Sequence, residues 1–232
     1  MLISQKLKSM IIDKRKIKQD NIIKYRQHLD KVNQTRRTYL KNRMEALNDG
    51  IIAIIITIMV LEIPLPSNQT LTSYYDFLGN LSVFLVTFFI VANFWYELNK
   101  ILATVVALDK KIVVIDFAFL AALSLLPILT KWMMHNPGRL AVMNYGIAYL
   151  IVNLLKTWLA HTQLIDLSHN SSNSINRLVM NRIIYGRTLF IVLFNLILIG
   201  LAFLFPNWIL YAYLALPIID FLFPNDEINF KN

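Results

Sequence analysis

Apolar residues gather in six long runs separated by short polar breaks, covering roughly 46–63, 77–96, 112–132, 140–160, 183–204 and 207–223. Each approaches the ~20 residues that a helix needs to cross ~30 Å of hydrocarbon, the last being the shortest. Within "IIAIIITIMVLEI" and "LFIVLFNLILIGLAFLF" polarity does not alternate with period two, as the strands of a membrane barrel would require. The pattern predicts an all-α membrane protein, a six-transmembrane-helix bundle. Its expected parts are a basic extension over 1–42, the bundle over 43–224 and a short tail over 225–232.

Composition agrees with this reading. The 232 residues are 56% hydrophobic and 16% charged, with a mean hydropathy of +0.52, too apolar for an ordinary soluble domain. There is no cysteine, which excludes disulfides, thiolate metal sites and cysteine nucleophiles. The N-terminus carries charge throughout and lacks the apolar core of a secretory signal.

Charge sets the orientation. Residues 1–43 hold 13 of the 23 Lys+Arg against Asp13, Asp20 and Asp30, and the segment 64–76 holds no Lys or Arg. The positive-inside rule then places the N-terminus in the cytoplasm. Six spans return the C-terminus to the same side, a multi-pass topology in the cell membrane. Lys131 and Arg139 fall on the outer side. Basic residues beside a membrane helix fix topology and meet the lipid bilayer, so no nucleic-acid partner is expected. Apolar positions in the extension, such as Leu7, Met10, Ile11, Ile22, Ile23, Leu29 and Val32, form no clean heptad. Tyr74, Tyr75, Trp95, Tyr96, Trp132, Trp158, Trp208 and Tyr211 lie near helix ends and read as interfacial anchors.

No enzyme constellation is present, and neither a metal site nor a cofactor is expected. The four histidines lack the i, i+4 pairing of a helical zinc site, and no phosphate loop, dinucleotide fingerprint or TVGYG filter occurs. The informative groups are polar residues within or beside the spans: Arg43, Glu45, Asp49, Asn93, Glu97, Asp116, Lys156, Asn195 and Asp220. At membrane depth such groups face the bundle and pair with something, and a structural ion-pair belt toward the cytoplasmic ends accounts for them as a set.

The first helix separates two kinds of residue. At 100° per residue, Ile54, Ile58 and Leu61 lie within about 60° of one another as an apolar stripe. Asp49 lies about 140° from Ile54. Grouped with Asp49, Gly50, Ala53 and, more loosely, Thr57 read as a packing surface. The stripe then faces lipid or a symmetry axis, and composition does not choose between them.

"RMEALNDGIIAIIITIMVLEIPLP" resembles the first helix of the transmembrane protein 175 family, potassium channels built without the usual filter. The family signature, R-x-x-x-F-S-D followed by G-[VI]-[FI]-A-I and V-L-E-[IL], is matched from Arg43 to Glu62. "VANFWYELNKIL" (91–102) resembles its second-helix end and "ALDKKIVVIDFAFLAALSLLPILT" (107–130) its third helix, so the likeness covers roughly 43–160. The departures are Leu47 for Phe, Asn48 for Ser, Leu98 and Asn99 near the usual histidines, and Asp116 for the usual Asn.

The resemblance implies one six-helix repeat per chain and a homotetramer around a central pore lined by helix 1. It implies permeant monovalent cations, with bulky aliphatic rings at Ile54, Ile58 and Leu61 as constriction. The signature residues Arg43, Leu47, Asn48 and Asp49 would hold that helix, with Glu97, Asn99 and Asp116 as polar partners. The expected function is a potassium-permeable channel with modest preference for K+ over Na+. Two other classes compete. One is a secondary transporter or exporter using Asp116 and Asp220. The other is a non-conducting scaffold whose basic arm recruits a partner.

Overall fold

The computed structural model describes the backbone of residues 2–105, 108–169, 174–205, 208, 209 and 211–213, and side chains mainly within 21–105, 108–163 and 188–205. Its elements are α1 (Leu2–Leu61), α2 (Leu71–Ala103), α3 (Lys110–Leu123), α4 (Leu126–His135), α5 (Arg139–His169) and α6 (Ser174–Leu201). The chain divides into two compact units, Met1–Met44 and Glu45–Asn232. The first is helical from Leu2, and its side chains from Asn21 to Leu40 are exposed.

Among the described residues four helices are long and apolar enough to cross a membrane: Asn21–Leu61, Leu71–Ala103, Lys110–His135 and Arg139–Gln163. Thr188–Leu201 is a shorter apolar helix. The fifth expected span is therefore described in part. The sixth, 207–223, lies outside the described residues except for 208, 209 and 211–213, as does Asp220. The chain reads as a multi-pass membrane protein.

The third span is not one helix. α3 stops at Leu123 and α4 restarts at Leu126, with Pro127 in its first turn. A helix running through would need the missing Pro127 N–H and would drive the ring into the Leu123 carbonyl. The break is closed locally, Ser124 N donating to Leu120 O at 2.9 Å and Leu125 N to Ala122 O at 3.2 Å. At the start of α2, Thr70 is the cap, its Oγ1 accepting from Ser73 N at 3.4 Å. That satisfies one of the free donors every helix start exposes.

α5 is the central helix of the second unit, packed against α2, α3, α4 and α6. Phe94 of α2 meets Phe119 of α3 edge-on at 6.0 Å and Tyr149 of α5 at 5.4 Å. Tyr213 packs on both Tyr145 and Tyr149 at 5.7 Å. A buried hydroxyl cluster joins three helices: Thr130 Oγ1 donates to Thr87 Oγ1 at 3.2 Å, and Tyr145 Oη donates to the same oxygen at 3.3 Å. Lys156, near the middle of α5, does not extend to the surface. It is buried, with Nζ 5.5 Å from the Phe94 ring centre, the geometry of a cation over a π face.

Candidate functional site: the first membrane helix

Within the second unit, the membrane-spanning part of α1 presents one narrow inward stripe. Asn48, Ile52, Ile55 and Met59 are buried, at steps of four, three and four residues, the spacing that keeps side chains on one face. This corrects the packing face expected from the sequence. Asp49, Gly50, Ala53 and Thr57 are exposed in the chain. Polarity and small size had marked them for packing. In a helix that is apolar all round, however, inward and outward residues look alike, because lipid is as apolar as a leucine core. Gly50 is also only about 40° from Ile54 around the helix, nearer the stripe than Asp49.

Ile54, Ile58 and Leu61 are 58%, 43% and 84% exposed. They lie about 120° around the helix from the buried stripe, and Leu47 is exposed as well. Helix periodicity gathers these residues into a continuous aliphatic ridge that no other described residue covers, within a wider exposed face that also holds Asp49, Gly50, Ala53, Thr57 and Val60.

Three polar contacts link α1 to other helices, none of them through the ridge. Near the N-terminal end of the span, Asn48 Nδ2 donates to Asp116 Oδ1 of α3 at 3.0 Å, both residues being buried. One residue on, Trp95 Nε1 of α2 donates to Asp49 Oδ1 at 2.8 Å. At its C-terminal end, Glu62 Oε2 pairs with Lys131 Nζ of α4 at 2.7 Å. Residue 48 meets 116 and residue 62 meets 131, so α1 runs parallel to the α3–α4 segment over some 20 Å at 1.5 Å per residue.

The expected polar partners fare differently. Asp116 joins Asn48 directly. Glu97 is buried on α2 with Lys100 Nζ 3.8 Å away, and Asn99 is half-buried. Arg43 is exposed and lies in the first unit. Trp95 and Lys131 are contacts that the sequence reading missed. Trp95 was assigned only to anchoring, although an indole N–H near the depth of Asp49 is a natural donor for it. Glu62 was legible only as the end of an apolar run, and a partner from a distant helix leaves no local mark. Among the described residues no cluster of three or more His, Asp or Glu could hold a metal ion.

Comparison with known proteins supplies the context. The family described as endosomal/lysosomal potassium channel TMEM175 matches residues 43–127. A potassium channel of Chryseobacterium sp. (strain P1-3) is 34% identical over 116 residues, which is 48% of this chain and 58% of that protein. The alignment therefore spans a little over half of the relative's length. The crystal structure of a lysosomal potassium-selective channel TMEM175 homolog from Chamaesiphon minutus superimposes with a TM-score of 0.64 at 21% identity. That match covers 79% of this chain and 97% of the other, a likeness of fold. These relatives are potassium channels, not enzymes. The match to the TMEM175 family model takes in the Asn48–Asp116 and Trp95–Asp49 contacts and stops short of Lys131.

Proposed function

We propose that this chain forms a potassium-permeable cation channel, a homotetramer in the cell membrane with both termini cytoplasmic. The first membrane helix of each copy lines the pore. The observation that carries this reading is the ridge of Ile54, Ile58 and Leu61, exposed on a helix whose buried stripe of Asn48, Ile52, Ile55 and Met59 lies on another face. Four such ridges facing one axis make stacked aliphatic rings. A ring of this kind excludes water, and an ion crosses it only by shedding hydration or when the ring widens. Potassium gives up its hydration more readily than sodium, so a modest preference for K+ follows without carbonyl ligands. Arg43, Leu47, Asn48 and Asp49 position the helix and do not touch the ion. Glu97, Asn99 and Asp116 line the polar inner side of the bundle.

Flux of K+ and Na+ into liposomes holding the purified chain tests the reading. Ile54→Asn should wet the ring and raise flux, about tenfold for each ~1.4 kcal/mol removed from the barrier, while K+ preference falls. Ile52→Asn, on the buried stripe, should lower folded yield and open no path. Absence of K+ flux in the wild type, or unchanged flux in Ile54→Asn, would remove the ridge from the pore.

A further inference from the structure

We propose that Lys131 sets the electrostatic potential at the outer mouth of the pore by neutralising Glu62, and is thereby a conductance-determining residue. The inference rests on the channel reading above and adds a residue from a different helix.

Three observations carry it. Glu62 follows directly on Leu61, the most exposed residue of the ridge, so its carboxylate lies at the level of the outer end of the proposed pore lining, about 100° around the helix from Leu61. Its partner comes from α4, 2.7 Å away, and the two side chains remain 32% and 50% exposed. A pair so open to solvent contributes little to stability, because water screens it and two long side chains must be ordered to make it, so holding α1 is not its main effect. The buried Asn48–Asp116 bond and the apolar stripe already hold that helix. What the pair does with certainty is cancel charge. In a tetramer four carboxylates would ring the mouth, and four ammonium groups in the same shell would balance them. An unbalanced ring of either sign changes the local cation concentration, because a narrow mouth with low-dielectric walls focuses the field.

A shared structural role and an electrostatic role predict different signs. Lys131→Gln and Glu62→Gln each abolish the same ion pair. If the pair only braces the helix, both should shift conductance in the same direction. If it sets the mouth potential, Lys131→Gln bares the carboxylates and raises K+ conductance, whereas Glu62→Gln bares the ammonium groups and lowers it. The double variant returns toward wild type. The changes should be about two- to fivefold near ~10 mM salt, where the Debye length is ~30 Å, and should fade near ~1 M, where it is ~3 Å.

Single-channel recording in planar bilayers at both salt concentrations reads these outcomes, with detergent melting temperatures recorded beside them. Opposite, salt-screened shifts support the assignment. Shifts of one sign, shifts that persist at high salt, or no shift in either variant overturn it while leaving the channel reading intact. A wild-type chain that does not conduct overturns both.

Discussion

α5 and the membrane part of α1 are both apolar helices in one unit, yet they are held by different means. Half of the apolar window of α5 is buried, against 28% for that of α1. α5 is gripped on several sides by aromatic rings and by hydroxyls that satisfy one another. α1 is gripped along one stripe and tied by polar contacts near its two ends. α5 keeps Ile147, Ile151, Leu154 and Trp158 exposed on its remaining face, but its position is already fixed by its neighbours. A helix with a bare aliphatic ridge still has a surface to give to something outside its own chain, and in lipid only packing and hydrogen bonding distinguish one neighbour from another.

The comparison breaks most violently at Gly146. A Cβ there would collide with Tyr213 Oη and fall 2.7 Å from Ile199 Cγ1. Gly146→Leu should therefore overpack α5, costing upward of about 1–3 kcal/mol and most of the monodisperse yield on size exclusion. A well-behaved Gly146→Leu protein would mean that α5 is not the tightly packed centre.

The next effect belongs to α1. Asp116→Leu leaves the buried Asn48 amide without its acceptor, at about 1–3 kcal/mol. Asp116→Asn restores a carbonyl acceptor and should recover most of the lost melting temperature. Equal losses in the two variants would show that the hydrogen bond is not what matters at this position. The smallest effect is Trp95→Phe, which removes a solvent-exposed bond to Asp49 that water can replace, leaving no buried group without a partner. Its melting temperature should fall less than that of Asp116→Leu. A reversal of that order would make the Asp49 contact the principal pin.

Much of this was legible in the residues. The ridge of Ile54, Ile58 and Leu61 is a matter of helical spacing, and its exposure in the chain agrees with the sequence reading that it faces something other than its own bundle. The depth of Asp116, one turn into α3, marked it as needing a partner. The packing face of α1 was misread because contrast between polar and apolar, which orients a helix in water, is nearly absent in a run of isoleucines. The break between α3 and α4 was visible as Leu125-Leu126-Pro127, but a continuous apolar run made one span the natural reading. Partners brought together across many residues, Trp95 with Asp49 and Lys131 with Glu62, had no signature at all, since nothing local fixes which helices become neighbours.

The parallel alignment of α1 with the α3–α4 segment limits how the chain can change length. Between its two pins α1 advances 14 residues and the partner segment 15, the extra residue being absorbed where the helix is interrupted. Removing one residue from that interruption would turn everything beyond it by about 100° and draw it back by ~1.5 Å, carrying Lys131 out of reach of Glu62. The polar turn at 64–70 is under no such constraint, because it lies beyond the outer pin. Insertions and deletions should be tolerated there more readily than between Asp116 and Lys131, where they would part Lys131 from Glu62 and leave that carboxylate unbalanced.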